Sequence, residues 1–192
     1  MKRARLIGER TYLRPFEKTD LSDDYLDWMN DPSVINNILG ATRPVTRATL
    51  ERYLESLEAD PSMVMFAACT IEDDLHIGNA RISHIDMQNR RCRYGRIIGH
   101  PEYRGRGYGS DILIQLLRYG VHHLGMNRMW TAVASQNQGS IKSNEKVGMV
   151  KEGLLREFIW ANGQFHDAWA ISMLRQEFYE RYGQADPSTS TG

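Results

Sequence analysis

One stretch constrains this chain more than any other: Ile97-Ile98-Gly99-His100-Pro101-Glu102-Tyr103-Arg104-Gly105-Arg106-Gly107-Tyr108-Gly109-Ser110, running on into Asp111 to Leu124. It predicts a strand end, a turn with alternating glycines and a helix, because Ile112, Leu113, Leu116, Leu117, Val121 and Leu124 recur at helical spacing. Gly105, Gly107 and Gly109 remove every other Cβ where the helix begins, so the backbone is free to adopt positive φ and to lie against a ligand. The N–H groups and positive dipole end of a helix start attract anions, and Arg104 and Arg106 add charge beside them. A diphosphate suits such a turn.

Two common phosphate-binding patterns are excluded. The chain contains no Gly-Lys-Ser or Gly-Lys-Thr for a P-loop. A G-x-G-x-x-G reading from Gly105 or Gly107 puts Ser110 or Ile112 at the last glycine, and no acidic residue ends the strand expected over Arg128 to Ala134. What fits is Arg-x-x-Gly-x-Gly at Arg104, Gly107 and Gly109. This resembles the pyrophosphate motif of the GNAT acyltransferase superfamily, whose members bind acetyl-CoA. On these positions alone, a glycine-rich loop at an ordinary strand–helix junction stays an open reading.

Composition narrows the setting. With 192 residues and 41% hydrophobic side chains, the chain suits one globular domain, expected over residues 1–185, with a Ser/Thr/Pro/Gly-rich tail at 186–192 expected to be disordered. Lys+Arg and Asp+Glu number 24 each, and this lack of a basic surplus argues against a nucleic-acid or membrane partner. Cys69 and Cys92 sit in strand-like runs without CxxC or His spacing, so they predict buried thiols in a reduced compartment and no metal site. Gly8-Glu9-Arg10 interrupts any apolar leader after Leu6-Ile7, and no run approaches the roughly 20 residues of a membrane span. A cytoplasmic location is expected.

Taken in order, Thr11 to Phe16 predicts a strand, and Asp20 to Met29 a helix stopped by Asn30-Asp31-Pro32. A loop over Ser33 to Pro44, with a helical turn at Val34 to Leu39, leads to a helix N-capped by Thr46 that buries Leu50, Tyr53, Leu54 and Leu57. Met63 to Ile71, His76 to Asp86 and Arg91 to Gly99 form an antiparallel meander with short turns. After the glycine turn come the strand Arg128 to Ala134, the helix Gln138 to Val147, and a hairpin of Val150 to Trp160 and Gln164 to Leu174 turning at Asn162-Gly163.

This order is similar to the GNAT fold. The resemblance implies an α+β (α/β/α-like) class, with a mixed, largely antiparallel sheet of about seven strands flanked by helices and splayed between the fourth and fifth. Asn137-Gln138-Gly139-Ser140 and Glu145-Lys146-Val147-Gly148-Met149 resemble the family's second CoA motif, which places Asn137 and Ser140 near the pantetheine. Val150-Lys151-Glu152-Gly153, Arg156 and Asn162 to Asp167 look like the closing hairpin of the ribosomal-protein alanine acetyltransferase branch. Ile77-Gly78-Asn79-Ala80-Arg81-Ile82, Ile85-Asp86, Asn89-Arg90-Arg91, Ile98-Gly99 and Trp28 to Pro32 resemble the branch that N-acetylates nucleotide-linked amino sugars.

The implied reaction is acyl transfer from a thioester to a small-molecule primary amine, an amino sugar ahead of a polyamine or an amine antibiotic. A protein N-terminal acetyltransferase and a non-catalytic acyl-CoA-binding module stand as alternatives, and a homodimer stays open. The resemblance assigns the oxyanion donor to the backbone of Ile97, Ile98 and Gly99, and the diphosphate cradle to Arg104 through Ser110, Tyr108 included. The family's usual acid, a tyrosine, falls on Asn144, an amide that has no proton to give a thiolate; Asn144 then lines the pantetheine channel. The glutamate base of several relatives falls on Arg93, leaving His84, His100, Glu102 or water as base candidates. Acceptor binding is expected at Trp28 and Arg93. The pair His122-His123 is placed on the helix away from the site.

Overall fold

The computed structural model of the protein describes residues 5–35, 44–161 and 163–184. Its strands are β1 (Leu6–Ile7), β2 (Thr11–Pro15), β3 (Val64–Thr70), β4 (His76–Asp86), β5 (Arg91–Ile98), β6 (Arg128–Ala134), β7 (Val150–Ala161) and β8 (Gln164–Leu174). Its helices are α1 (Asp23–Trp28), α2 (Pro32–Ile35), α3 (Arg47–Ala59), α4 (Tyr108–Arg118), α5 (Gln138–Val147) and α6 (Arg175–Tyr182). The strands form one sheet in the order β1-β2-β3-β4-β5-β6-β8-β7. All neighbours are antiparallel except β5 and β6, which pair only at Arg91↔Arg128, Cys92↔Met129 and Arg93↔Trp130. Beyond Arg93 the two strands part, which is the expected splay between the fourth and fifth long strands. The sheet holds eight strands because Leu6 and Ile7, too short a run to read as a strand, pair with Leu13 and Tyr12.

Helix α4 covers this opening from one side. Its apolar face, Ile112, Leu113, Leu116 and Leu117, is buried against Ala80, Ile82, Cys92, Tyr94 and Met129. The Asp111 carboxylate in its first turn accepts from the backbone N–H groups of Glu9, Arg10 and Thr11 and from the Thr11 hydroxyl, which ties the helix start to β2. The α-helix stops at Arg118 rather than Leu124, and Tyr119–His123 form one π-helical turn. Gly120 in that turn lies so close to Met129 that a Cβ would sit 2.1 Å from its Sδ. Close packing against β6 therefore overrides the apolar periodicity.

The first helix begins at Asp23, because Ser22 caps it through Tyr25 N–H at 3.1 Å, while Asp20 ends a separate 3-10 turn and pairs with Arg14. Thr46 caps α3 as expected, but Tyr53 is only half-buried and accepts from Arg81 Nη1 at 2.8 Å. Helix α2 covers the start of the expected Val34–Leu39 turn; residues 36–39, Asn162 and the tail at 186–192 lie outside the described residues. Helix α6 was not anticipated, its only buried residue being Phe178. Cys69 and Cys92 are buried free thiols. Among the described residues, no helix is long and apolar enough to cross a membrane, and no His/Cys/Asp/Glu group is arranged to hold a metal.

Candidate active site

The splay opens into a cavity of about 880 Å³ that runs from the glycine turn to α1–α3. On the α4–α5 side it is lined by Gly105, Gly107, Gly109, Ser110, Asn137, Ser140, Lys142, Ser143, Asn144 and Lys146. Gly105 and Gly107 stand at φ 71° and 94°, and Gly107 is the N-cap of α4, so the first N–H groups of the helix open here. A Cβ on Gly109 would stand 3.6 Å from Arg96 Nε. The turn, the helix start and the cations Arg96, Lys142 and Lys146 make a place for an anionic cofactor.

The ladder shows which of the three backbone N–H groups at the strand end is turned toward the splay. Gly99 N–H is already bound to Ile77 O at 2.9 Å, and Gly78 faces Ile98 while Asn79 faces Ile97. An antiparallel ladder alternates inward and outward N–H groups, so Ile97 N–H turns toward β4 and Ile98 N–H toward the open splay. Arg104 Nε donates to Ile98 O at 3.0 Å on that same edge. Arg104 also donates to Ser33 Oγ at 2.7 Å, to Asp31 at 3.2 Å and to Gly99 O. It fastens α2 to the strand end, and its guanidinium is engaged before any ligand arrives.

Asn144 is fully buried and fully bonded. Its Oδ1 accepts from the Tyr94 hydroxyl at 2.7 Å and from Arg96 Nη1 at 3.3 Å, and its Nδ2 donates to Ser140 O at 2.8 Å. Asn137 caps α5 through Ser140 N–H at 3.0 Å. Arg96, whose proton affinity burial lowers, also donates to Ser143 Oγ at 2.9 Å, and Ser143 reaches Ser110 Oγ at 2.9 Å. Burial likewise pushes the Tyr94 phenol well up, so it stays protonated. Tyr94 and Arg96 were not singled out by sequence; the signal was their even spacing on the strand that ends at the glycine turn.

The opposite side of the cavity is lined by Tyr25, Met29, Val34, Leu50, Tyr53, Asn79, Arg81 and Arg93. Arg81 pairs with Gly95 and Ser83 with Arg93, which makes Arg81 and Arg93 diagonal neighbours on one face. Burial, and then the Arg81 charge, lower the proton affinity of Arg93, whose guanidinium lies 5.8 Å over the Trp130 ring. Asn79 is buried, with its Oδ1 held by His76 Nε2 at 3.0 Å. Its Nδ2 lies near the Tyr25 hydroxyl but outside hydrogen-bonding geometry, and has no partner.

The cavity does not gather every residue expected at the site. Trp28 is buried against His76, Tyr25 and Gly99, and with His100 it lines a separate, smaller cavity bearing Asp24, Asp27 and Asp31. His84 projects to solvent on β4, 3.2 Å from Ser83 Oγ. Glu102 is exposed in the 3-10 turn Pro101–Tyr103. Arg106 is exposed and donates to Glu102 O, while Tyr108 packs against Tyr103. None of these six lines the main cavity. Among the described residues its lining holds no His, Asp or Glu.

Residues 10–150 match the family model for an acetyltransferase (GNAT) domain. The chain belongs to the GNAT acetyltransferase family. It is 30% identical over 175 residues to the uncharacterized N-acetyltransferase p20 of Bacillus licheniformis, covering 90% of this chain and 97% of that protein. Over 105 residues it is 27% identical to the spermidine N(1)-acetyltransferase of Vibrio cholerae, 55% of this chain and 60% of that one. The crystal structure of a V. cholerae spermidine N-acetyltransferase with CoA and spermine superposes at TM-score 0.80 and 22% identity, covering 88% of this chain and 97% of that one. The GNAT membership makes the protein an acetyl-CoA-dependent N-acetyltransferase. Acetyl-CoA supplies an activated thioester; the chain's residues must bind it, orient it and receive the developing oxyanion.

Proposed function

We propose that this GNAT enzyme acetylates the primary amine of a small oxygen-bearing molecule, an amino sugar, with Gly105, Gly107, Gly109, Ser110 and α5 holding acetyl-CoA and Ile98 N–H receiving the oxyanion. The observation that carries this reading is the acceptor wall: among the described residues it has no carboxylate, and it presents the Arg81 and Arg93 guanidinium groups. A polyamine is a row of cations, and this wall gives it no carboxylate among the described residues and two guanidinium groups that repel it. The hydroxyl oxygens of a sugar accept from such guanidinium donors. Among the described residues no His, Asp or Glu lines the cavity, so the amine loses its proton to water, and a thiol of pKa about 8.5 leaves without a dedicated acid.

Acetyl-CoA turnover with glucosamine, spermidine and an N-terminal alanyl peptide, read by intact-mass spectrometry of the products, tests the assignment. Acetylation of the sugar well ahead of the other two is expected. A preference for spermidine or the peptide would overturn it.

A further inference from the structure

The acceptor side of the cavity carries a feature that amine transfer alone does not require. Arg81 and Arg93 share one face of β4 and β5, both line the cavity, and among the described residues neither forms an ion pair with a carboxylate. Arg81 is oriented by the Tyr53 hydroxyl, and Arg93 by the face of Trp130. Two guanidinium groups side by side, with burial and mutual repulsion working against Arg93, are an unfavourable arrangement in the empty protein. The cost is relieved when an anion sits between them, because the planar forks of two arginines match the oxygens of a phosphoryl or carboxylate group. The third cation on this strand, Arg96, has even parity and bonds Ser143 and Asn144 on the α5 side, so it belongs to the cofactor half.

We propose that Arg81 and Arg93 form an anion subsite within the acceptor pocket, so that the substrate is an amine that also bears a phosphate ester or a carboxylate. This rests on the amino-sugar reading for the reacting end and adds the charged end. Trp130, packed beneath Arg93, keeps that guanidinium from swinging away to solvent. Asn79, on the same face as Arg81 and nearer the glycine turn, then faces the amine-bearing part while the two arginines hold the anion. The amine is thereby held between the anion subsite and the thioester.

The test compares kcat/KM for glucosamine, glucosamine 1-phosphate and a 2-amino-2-deoxyuronic acid in the wild type and in Arg81→Gln and Arg93→Gln. An anionic amine should exceed glucosamine by about tenfold or more, and each variant should bring that ratio close to one. Whether the phosphate or the carboxylate compound leads identifies the anion. Retention of the acetyl-CoA-induced rise in Tm shows that each variant is folded. In parallel, calorimetry on CoA-saturated protein with uridine diphosphate as a non-reacting probe should show binding that both variants lose. Equal kcat/KM for charged and neutral amines, or anion binding indifferent to both substitutions, would overturn the subsite. Arginine-dependent anion binding without transfer to any amino sugar would instead leave the subsite standing and remove the amino-sugar reading.

Discussion

Asn144, to which the family resemblance assigns the acid's place, has every polar atom of its amide engaged: it accepts from Tyr94 and Arg96 and donates to Ser140. Its work is to hold a buried phenol and a buried guanidinium in place. Asn144→Ala should therefore leave the Tyr94 hydroxyl with only the weak thioether acceptor of Met149 and lower unfolding free energy by about 1–3 kcal/mol. The same change should lower kcat by less than about tenfold, below the 10²–10⁴ worth of a true acid. Urea unfolding and steady-state kinetics measure the two effects; a hundredfold loss of kcat with stability intact would show that the amide touches the reacting atoms. Gly107 carries a different demand. At φ 94° it caps α4, with only Arg10 within reach of an added Cβ, so strain and cofactor approach are the constraints there rather than crowding. Gly107→Val should abolish the Tm rise that acetyl-CoA gives the wild type; an undiminished rise would take the diphosphate away from this turn.

At the scale of elements, the two ends of β5 set the site. One end stays zipped to β6 through Arg93, and the other is freed and tied off by Arg104. Gly99, just past the freed end, has its N–H engaged by Ile77 and its Cα face against the Trp28 indole, where a Cβ would stand 2.0 Å from the ring. Gly99→Ala should displace α1, lowering stability by about 1–3 kcal/mol through overpacking. Its acetyl-CoA affinity, read by calorimetry, should fall far less than that of Gly107→Val; an equal fall would restore Gly99 to the cofactor. The long strands, α5 and the cap at Thr46 were legible because alternation, helical spacing and capping residues are local signals. The π turn at Gly120 was not, since it answers to Met129 on β6. Nor was the pairing of Arg81 with Arg93, because Arg81 reads as one more alternating strand position until the register sets it beside Arg93. The glycine turn could be read as an anion site from its glycines, whereas the engagement of Arg104 with two carbonyls depends on a strand end that curls back over it.

At the scale of the molecule, the sheet divides its burden: α4 and α5 stand over the basic side of the cavity, proposed for the cofactor, and α1 and α3 over the side proposed for the acceptor, around a buried aromatic group. His76 is the titratable centre of that group, packed against Phe16, Tyr25 and Trp28 with Nε2 shared between Gly78 O and Asn79 Oδ1. Burial pushes its pKa below the ordinary 6.5, outweighing the upward pull of Asn79 and Asp20, while Arg14 adds a smaller push down. The folded protein therefore keeps His76 neutral where the unfolded chain would already be protonated. Stability from this residue is complete above about 6.5 and is lost as pH falls from there toward the folded-state pKa, because the unfolded state binds more protons across that window. Glu152 beside Arg128, and Asp31 beside Ser33 and Arg104, have lowered pKa values and act in a more acidic range, losing their contribution only below the ordinary carboxylate values. Denaturant midpoints taken between pH 7 and pH 5 thus isolate His76 from both carboxylates. The wild type should lose stability across that interval, and His76→Gln, which keeps a donor for Gly78 O, should flatten the slope even though its absolute stability is lower. An identical slope in the variant would mean that the buried imidazole is not what couples this aromatic group to pH.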